Sequence, residues 1–370
     1  MQGPFERQAK TMLRKAGIEV GGTRPYDIAV HDSRLYRRAL LHGSRGLGEA
    51  YMDGWWDCEA LDELFYRIRA QRKESKDPRR MALWFTSKVS NLQSIELSRE
   101  VAERHYDRGN DLFIAMLDRR LTYTCGYWKE AANLNEAQEN KLKLVCDKLA
   151  LRAGQRVLDI GCGFGSFAKY AAEQYGVSVV GVTISKEQVV LGRKLCAGLP
   201  VELCLLDYRE VREKYPEPFD HIVSLGMFEH VGRKNHALFM GEVATLLKDE
   251  GLFFLQSIGG SGGINPWINK YVFPGGQIPS AEHIVQAAGR RFIIEDWHNF
   301  GADYDTTLMA WHRNFVEAWE KLQSSYDERF KRMWCYFLLS CAGSFRARRN
   351  QLWQIVFSKH GVPGGYRSIR

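Results

Sequence analysis

Val157-Leu158-Asp159-Ile160-Gly161-Cys162-Gly163-Phe164-Gly165 is the stretch that decides the fold. An apolar run carries Asp159 toward its end, and three glycines then turn the chain into a helical segment at residues 167–175. Glycines let the backbone approach a ligand closely, and the following helix offers it free N–H groups. Outward from this unit, short β-branched runs alternate with helical ones. Residues 156–160, 177–182, 201–206, 221–224 and 252–257 read as strands, and residues 185–196 as a further helix. That alternation predicts an α/β fold: a doubly wound, mostly parallel, Rossmann-like sheet with helical additions at both ends.

The glycine spacing narrows the ligand. A dinucleotide oxidoreductase uses G-x-G-x-x-G with an acid about 20 residues on. Here the third glycine comes one residue early, Ser166 holds its place, and the second strand ends in Gly181-Val182-Thr183 without an acid. D-x-G-x-G-x-G, with the acid before the glycines, resembles the nucleoside-binding loop of class I S-adenosylmethionine (SAM) dependent methyltransferases. That resemblance implies cosubstrate contacts from Leu158, Asp159, Ile160, Gly161, Cys162, Gly163, Phe164, Gly165 and Ser166, then from Thr183, Ile184 and Gln188. Gln188 would meet the ribose hydroxyls, with an ordinary surface glutamine as the alternative. Asp207, Tyr208 and Arg209 would flank the adenine, although Tyr208 alone reads as readily as a core residue.

At 370 residues the chain suggests two domains, on a prior of roughly 100–200 residues each. Hydrophobic content of 45% and charged content of 26% are ordinary for a globular chain. No apolar run approaches the ~18 residues of a membrane span. The first twenty residues lack the apolar core of a signal peptide, so export is not expected. Eight cysteines without a C-x-x-C pair argue against a disulfide framework and a zinc site, so no metal is expected. A small helical domain is expected over residues 1–72, with a flexible turn at 43–48 (GSRGLG). A linker follows over 73–95, overlapping the charged run QRKESKDPRR of residues 71–80, and then a catalytic domain over 96–370 ending in a basic helical segment.

The net charge is +8, and from Arg329 to Arg370 there are nine Lys and Arg and no acid. Such a tail favours an anionic partner, nucleic acid or acidic lipid, unless it is only a solvated basic face. Nucleic acid is disfavoured, since the D/N-P-P-Y-type tetrapeptide of base amino-methyltransferases is absent.

Four longer stretches carry the reading further. They are His105-Tyr106-Asp107-Arg108-Gly109-Asn110-Asp111-Leu112-Phe113, Tyr123-Thr124-Cys125-Gly126-Tyr127-Trp128, Gly226-Met227-Phe228-Glu229-His230-Val231-Gly232, and Asn299-Phe300-Gly301-Ala302-Asp303-Tyr304-Asp305-Thr306-Thr307-Leu308. In this order, and with the segment from Gly46 to Cys58, the chain resembles the bacterial cyclopropane-fatty-acyl-phospholipid synthases of the mycolic acid cyclopropane synthase superfamily. The resemblance implies transfer of a methylene group from SAM to the cis double bond of an unsaturated phospholipid acyl chain. The new methyl group of a carbocation would lose its proton to a bound bicarbonate ion, and the ring would close. Bicarbonate would be held by Cys125, Glu229, Gln256, the backbone of Ile258, and Tyr304, while Tyr123 and Thr124 would touch SAM. A turn cap is the alternative for Glu229, and a small buried filler for Cys125. Cys341 is a further catalytic candidate, but it lies on the apolar stripe Phe330, Met333, Trp334, Phe337, Leu338, where a packing thiol is the alternative. Phe228, Trp267, Tyr271, Phe273 and Tyr304 are candidate cation-stabilising rings, each worth ~0.5–2 kcal/mol.

The family usually has histidine where this chain has Gln256, which forms hydrogen bonds but cannot titrate. A changed product is therefore in view, and the alternative function is a SAM-dependent fatty-acyl methyltransferase giving a methyl or methylene branch. A lipid-associating protein with a vestigial SAM pocket is a second alternative. The resemblance further implies a homodimer in the cytoplasm, peripherally bound to the anionic inner face of the membrane.

Overall fold

The computed structural model describes residues 3–71, 109–260, 263 and 265–370. The expected linker, and the His105–Arg108 half of one motif, lie outside the described residues. A two-stranded ribbon, β1 (Ala29–Val30) and β2 (Trp56–Asp57), precedes the main sheet. That sheet holds β3 (Arg156–Ile160), β4 (Ser178–Thr183), β5 (Val201–Leu205), β6 (Phe219–Leu225), β7 (Leu247–Gly260), β8 (Ile293–Asn299) and β9 (Asn350–Ser358). Their spatial order is β5-β4-β3-β6-β7-β9-β8, with every pairing up to β6–β7 parallel and β9 antiparallel to both neighbours.

Strands β3 and β4 are mostly buried apolar runs, as parallel strands covered on both faces must be, and β6 is buried along most of its length. The chain moves outward from β3 to β5 and then returns to β6 on the other side of β3. A cleft opens beyond the strand ends where the order reverses, and ligands bind there in such sheets. Asp159 sits at that point, in register with Gly181 of β4 and Val223 of β6.

Two expectations are corrected. Residues 43–48 are not a flexible turn: one helix runs from Arg34 to Met52 with a kink at Gly43, where φ is 58°. The later glycines serve close packing. A Cβ on Gly46 would meet the Arg38 carbonyl oxygen at 2.2 Å, and one on Gly48 the Trp267 ring at 2.5 Å. The C-terminal region is also not wholly helical. The Glu328–Arg346 helix is followed by β9, which pairs with β7 from Leu252↔Ser358 to Gly260↔Asn350.

The N-terminal helices share one core with that C-terminal helix. Tyr336 lies against Tyr51, Phe65 and Trp267, with ring centroids 5.5, 5.2 and 4.6 Å away. Basic residues of the tail then fasten the seam. Arg332 donates to the Tyr51 and Trp56 carbonyls and to Asp57, and Arg346 pairs with Asp62, Glu63 and Asp305. Arg329 meets Asp53, Lys331 meets Glu328, Lys359 meets Asp249, Arg370 meets Asp296, and Arg349 donates to the carbonyls of Arg69 and Gln71. Seven of the nine tail cations are thus engaged within the chain. Much of the tail's charge therefore serves contacts within the fold.

Candidate functional site

The glycine loop builds one wall of the cleft. Gly161 has φ 82°, and a Cβ there would meet Met227 at 2.7 Å. The N–H groups of Gly161 and Cys162 both donate to the Val182 carbonyl, at 2.9 and 3.1 Å, which ties the loop to β4. Of the seventeen residues expected to touch SAM, fifteen line this cleft: Tyr123, Thr124, Asp159, Ile160, Gly161, Cys162, Gly163, Phe164, Ser166, Thr183, Ile184, Gln188, Asp207, Tyr208 and Arg209. Leu158 points into the core under the sheet. Gly165 caps the next helix, where a Cβ would meet Leu203 at 2.9 Å.

Gln188 is no surface glutamine. It is buried, and its Oε1 accepts from the Thr183 hydroxyl at 2.9 Å. Asp207 grips Arg209 through two bonds of 2.7 Å and caps its own turn. Asp159 is only 2% exposed, and burial pushes its carboxyl up to about 7. Lys141, Gly226, Met227, His230, Val231 and Pro274 also line the cleft and were not expected. His230 precedes Val231 within an expected motif. Nothing in the sequence marks Lys141.

A buried cluster follows directly on the cleft residue Thr124. Cys125, Phe300 and Leu352 pack together with Ile258, Tyr304 and Tyr127. Thr307 knits two motifs into this wall, accepting from Gly126 N at 3.1 Å and Trp128 Nε1 at 2.9 Å. Cys125 is fully buried, its Sγ donating to the Gly126 carbonyl at 3.1 Å, and burial holds its thiol well above the usual range. It is a neutral thiol.

Glu229 is also buried, and it does more than cap a turn. Its Oε1 accepts from the backbone N–H of Ile258, while desolvation lifts its carboxyl to about 7. Gln256 and Ile258 fall two apart on β7 and so share one face. Gln256 Oε1 accepts from Gln354 Nε2 at 3.0 Å. Glu229 Oε2 and Gln256 Nε2 are both buried without a partner among the described residues. Buried polar atoms are rarely left so, and the two atoms are an acceptor and a donor, the types a small oxyanion that carries a hydroxyl would use. The expected bicarbonate fits that donor set.

Cys341 lies on the large-core side of Tyr304, close enough to act on it electrostatically. It is half-buried at the border of the large core, with its thiol pushed up to about 12 by burial. Phe228 and Trp267 are likewise used in packing, Phe228 stacked on His236 at 4.2 Å and Trp267 against Gly48. Tyr304 stays at the site, its ring 4.6 Å from that of Phe345.

Comparison with known proteins agrees with this architecture. The family described as Mycolic acid cyclopropane synthetase matches residues 93–355. The chain belongs to that family. It is an enzyme of the SAM-dependent methyltransferase class. The cyclopropane-fatty-acyl-phospholipid synthase of Escherichia coli (strain K12) is 50% identical over 373 residues, covering 98% of this chain and 96% of that one. Among solved structures, the cyclopropane synthase MmaA2 from Mycobacterium tuberculosis matches with a TM-score of 0.67 and 29% identity, over 73% of this chain and all (100%) of that one. The mycolic acid cyclopropane synthase CmaA1, complexed with SAH and CTAB, matches at 0.65 and 28% identity, over 70% and 98%.

Proposed function

We propose that this enzyme transfers a methylene group from SAM to the cis double bond of an unsaturated phospholipid acyl chain, forming a cyclopropane ring. The alkene π pair would form a bond to the SAM methyl carbon as the S–C bond breaks. The resulting carbocation would lose a proton from the new methyl group and close the ring. Bound bicarbonate would supply the base for that proton, held by the Glu229 carboxyl, the Gln256 amide, the Ile258 backbone, Tyr304 and Cys125.

The observation that carries this reading is the pair of unpartnered buried atoms, Glu229 Oε2 and Gln256 Nε2, with Glu229 next in sequence to the cleft residue His230. A glutamine donor orients an anion as a neutral histidine does, so the missing imidazole need not end the chemistry. The test is incubation with SAM and vesicles of cis-monounsaturated phospholipid, with and without bicarbonate, followed by proton NMR of the lipids. Upfield cyclopropyl protons that fade on bicarbonate depletion are expected. Vinylic or methyl-branch signals would move the product to a branched chain, because both products add one CH₂.

The membrane contact is proposed for the N-terminal helices rather than the tail. Arg34, Arg37, Arg38, His42, Arg45 and Trp55 line one concavity together with exposed Leu41 and with Glu49, which pairs with Arg38 and Arg45 as Asp32 does with Arg34. Phe5 and Met12 are exposed on the neighbouring Pro4–Lys15 helix, none of whose residues is buried. Basic side chains around exposed apolar ones suit an anionic bilayer surface. Co-sedimentation with acidic vesicles should weaken with salt and with Arg37→Glu. A salt-independent interaction would sink this part.

A further inference from the structure

Gln354 carries a buried atom that the proposed chemistry leaves unused. Its Nε2 is spent on Gln256, but its Oε1 has no partner among the described residues. On strand β9, Gln354 stands in register with Gln256 of β7 on one side and with His298 of β8 on the other. Directly opposed residues of antiparallel strands share a face of the sheet, so the three form one row. Ile258 and Leu352, two residues along on β7 and β9, belong to the same face and pack with Phe300 against Cys125.

His298 is a neutral donor in that row. Its ring packs on those of Tyr127 and Phe300, with centroids 5.8 and 5.0 Å away. Burial and the positive charges of Lys148, Arg370 and Lys129 draw its ionisation down to about 4, with Asp296 alone opposing them. Lys148, at the end of the Leu134–Lys148 helix, is 0% exposed. Its Nζ lies 3.2 Å from His298 Nδ1 and 3.4 Å from Asp296 Oδ2. Burial lowers Lys148 only to about 8, so it stays an ammonium near neutral pH. An ammonium has donors and no acceptor. His298 Nδ1 therefore accepts from it, and the single proton of the neutral ring sits on Nε2. Arg370 anchors the outer end, meeting both Asp296 oxygens at 2.6 and 2.7 Å.

We infer, on the bicarbonate reading of the site, that His298 is a positioning residue for the anion. Its Nε2–H donates to Gln354 Oε1, directly or through one water, and so holds the Gln256 amide in place. The links from Lys148 to His298 and from Gln354 to Gln256 are formed in the structure. The link from His298 to Gln354 is the step added here, and it gives the orphaned Oε1 its donor. All donors then run one way, from Lys148 through His298, Gln354 and Gln256 to the anion. Hydrogen bonds in such a chain polarise one another, so the cation at its head strengthens the last donor.

The test measures the bicarbonate concentration that gives half-maximal cyclopropane formation on vesicles of cis-monounsaturated phospholipid. It compares the full-length enzyme with His298→Phe, His298→Gln, Gln354→Leu and the double variant of His298→Phe with Gln354→Leu. Phenylalanine keeps the ring packing and removes both nitrogens. His298→Phe should raise that concentration by about threefold to tenfold, the worth of one hydrogen bond, with the KM for SAM unchanged. His298→Gln keeps a donor and should recover part of the loss. In the Gln354→Leu background, His298→Phe should add less than about twofold, because the link is already cut. Effects that multiply, or a KM for SAM that rises equally, would make His298 a packing residue and overturn the inference. If His298→Phe does not fold, a crystal structure of the wild type decides. Gln354 Oε1 bonded to His298, directly or through one water, supports the inference, and Oε1 out of reach both ways overturns it. A wild type whose rate ignores bicarbonate overturns the bicarbonate reading, and this inference with it.

Discussion

Gln354 Nε2 donates to Gln256 Oε1 at 3.0 Å across the β7–β9 pairing, with Gln354 0% and Gln256 1% exposed. The bond uses the acceptor end of Gln256 and leaves its NH₂ turned away from Gln354, without another partner among the described residues. Gln354 thus fixes the orientation of the Gln256 amide. Gln354→Leu should lower kcat by about threefold to tenfold, the worth of one hydrogen bond of roughly 0.5–1.5 kcal/mol. The KM for SAM should not change, because Gln354 does not line the SAM cleft. Steady-state kinetics on phospholipid vesicles separate the two. Gln256→His should add an ionisation between about pH 6 and 7 to the kcat profile, a limb the wild-type residue cannot contribute.

Glu229 exchanges stability for chemistry. The folded carboxyl holds its proton up to about 7, against 4.5 for an ordinary glutamate, because burial disfavours the charged form. Between those values the folded state binds the extra proton, so stability is highest below the lower one and falls as pH rises through the higher. The loss is on the order of 3–4 kcal/mol from a shift of this size. Ligand-free protein should melt at progressively lower temperature from pH 5 to 8, compared with Glu229→Gln. That variant should be the more stable one at pH 8 and nearly inactive. Parallel melting curves across the pH range would remove Glu229 as the cause.

The parts of the fold legible in the sequence are those whose signal is local. Strands β3 and β4 are buried on both faces, so each announces itself as an apolar run, and the glycine loop carries its own backbone demand in a few adjacent residues. Strand β9 follows a basic stretch and pairs antiparallel with a strand about a hundred residues earlier, a partnership no window can contain. Gly46 and Gly48 look like a turn because the same absent side chain serves bending and close approach alike. Only the positions of Arg38 and Trp267 tell the two apart. Charge counting found the surplus in the tail, but the acids that neutralise it, Asp53, Asp57, Asp62 and Asp305, lie far away in sequence. Lys141 stayed hidden for a related reason. A lysine on an amphipathic helix is normally solvated, and only the packing around it makes this one a cleft residue.

Cys341 should prove dispensable for chemistry. Burial raises its thiol to about 12, so the nucleophilic thiolate is scarce at neutral pH. Cys341→Ser should keep kcat within about twofold and cost less than roughly 1–2 kcal/mol of stability, the price of one polar group at a half-buried site. A loss of a hundredfold in kcat with an unchanged melting temperature would return Cys341 to the catalytic set.

Arg332 carries more of the fold than a surface arginine does. Its guanidinium sits over the Tyr51 ring, 4.1 Å from the centroid, and donates to two backbone carbonyls and to Asp57 at 2.6 Å. Those partners all belong to the N-terminal segment, while Arg332 belongs to the C-terminal helix that shares its core. Arg332→Met keeps the aliphatic stem and removes the charge, so it leaves the Tyr51 and Trp56 carbonyls without this donor and Asp57 with His31 alone. The side chain is 19% exposed, so solvent recovers part of the loss. A destabilisation of about 2–3 kcal/mol follows, below the 3–5 kcal/mol of a fully buried broken pair. Arg348, which has no ion-pair partner among the described residues, is the control, and its change to Met should stay within about 0.5 kcal/mol. Urea unfolding of both variants decides between a clamp and a bystander. If Arg332→Met unfolds at the same urea concentration as Arg348→Met, the shared aromatic core alone holds the N-terminal helices in place.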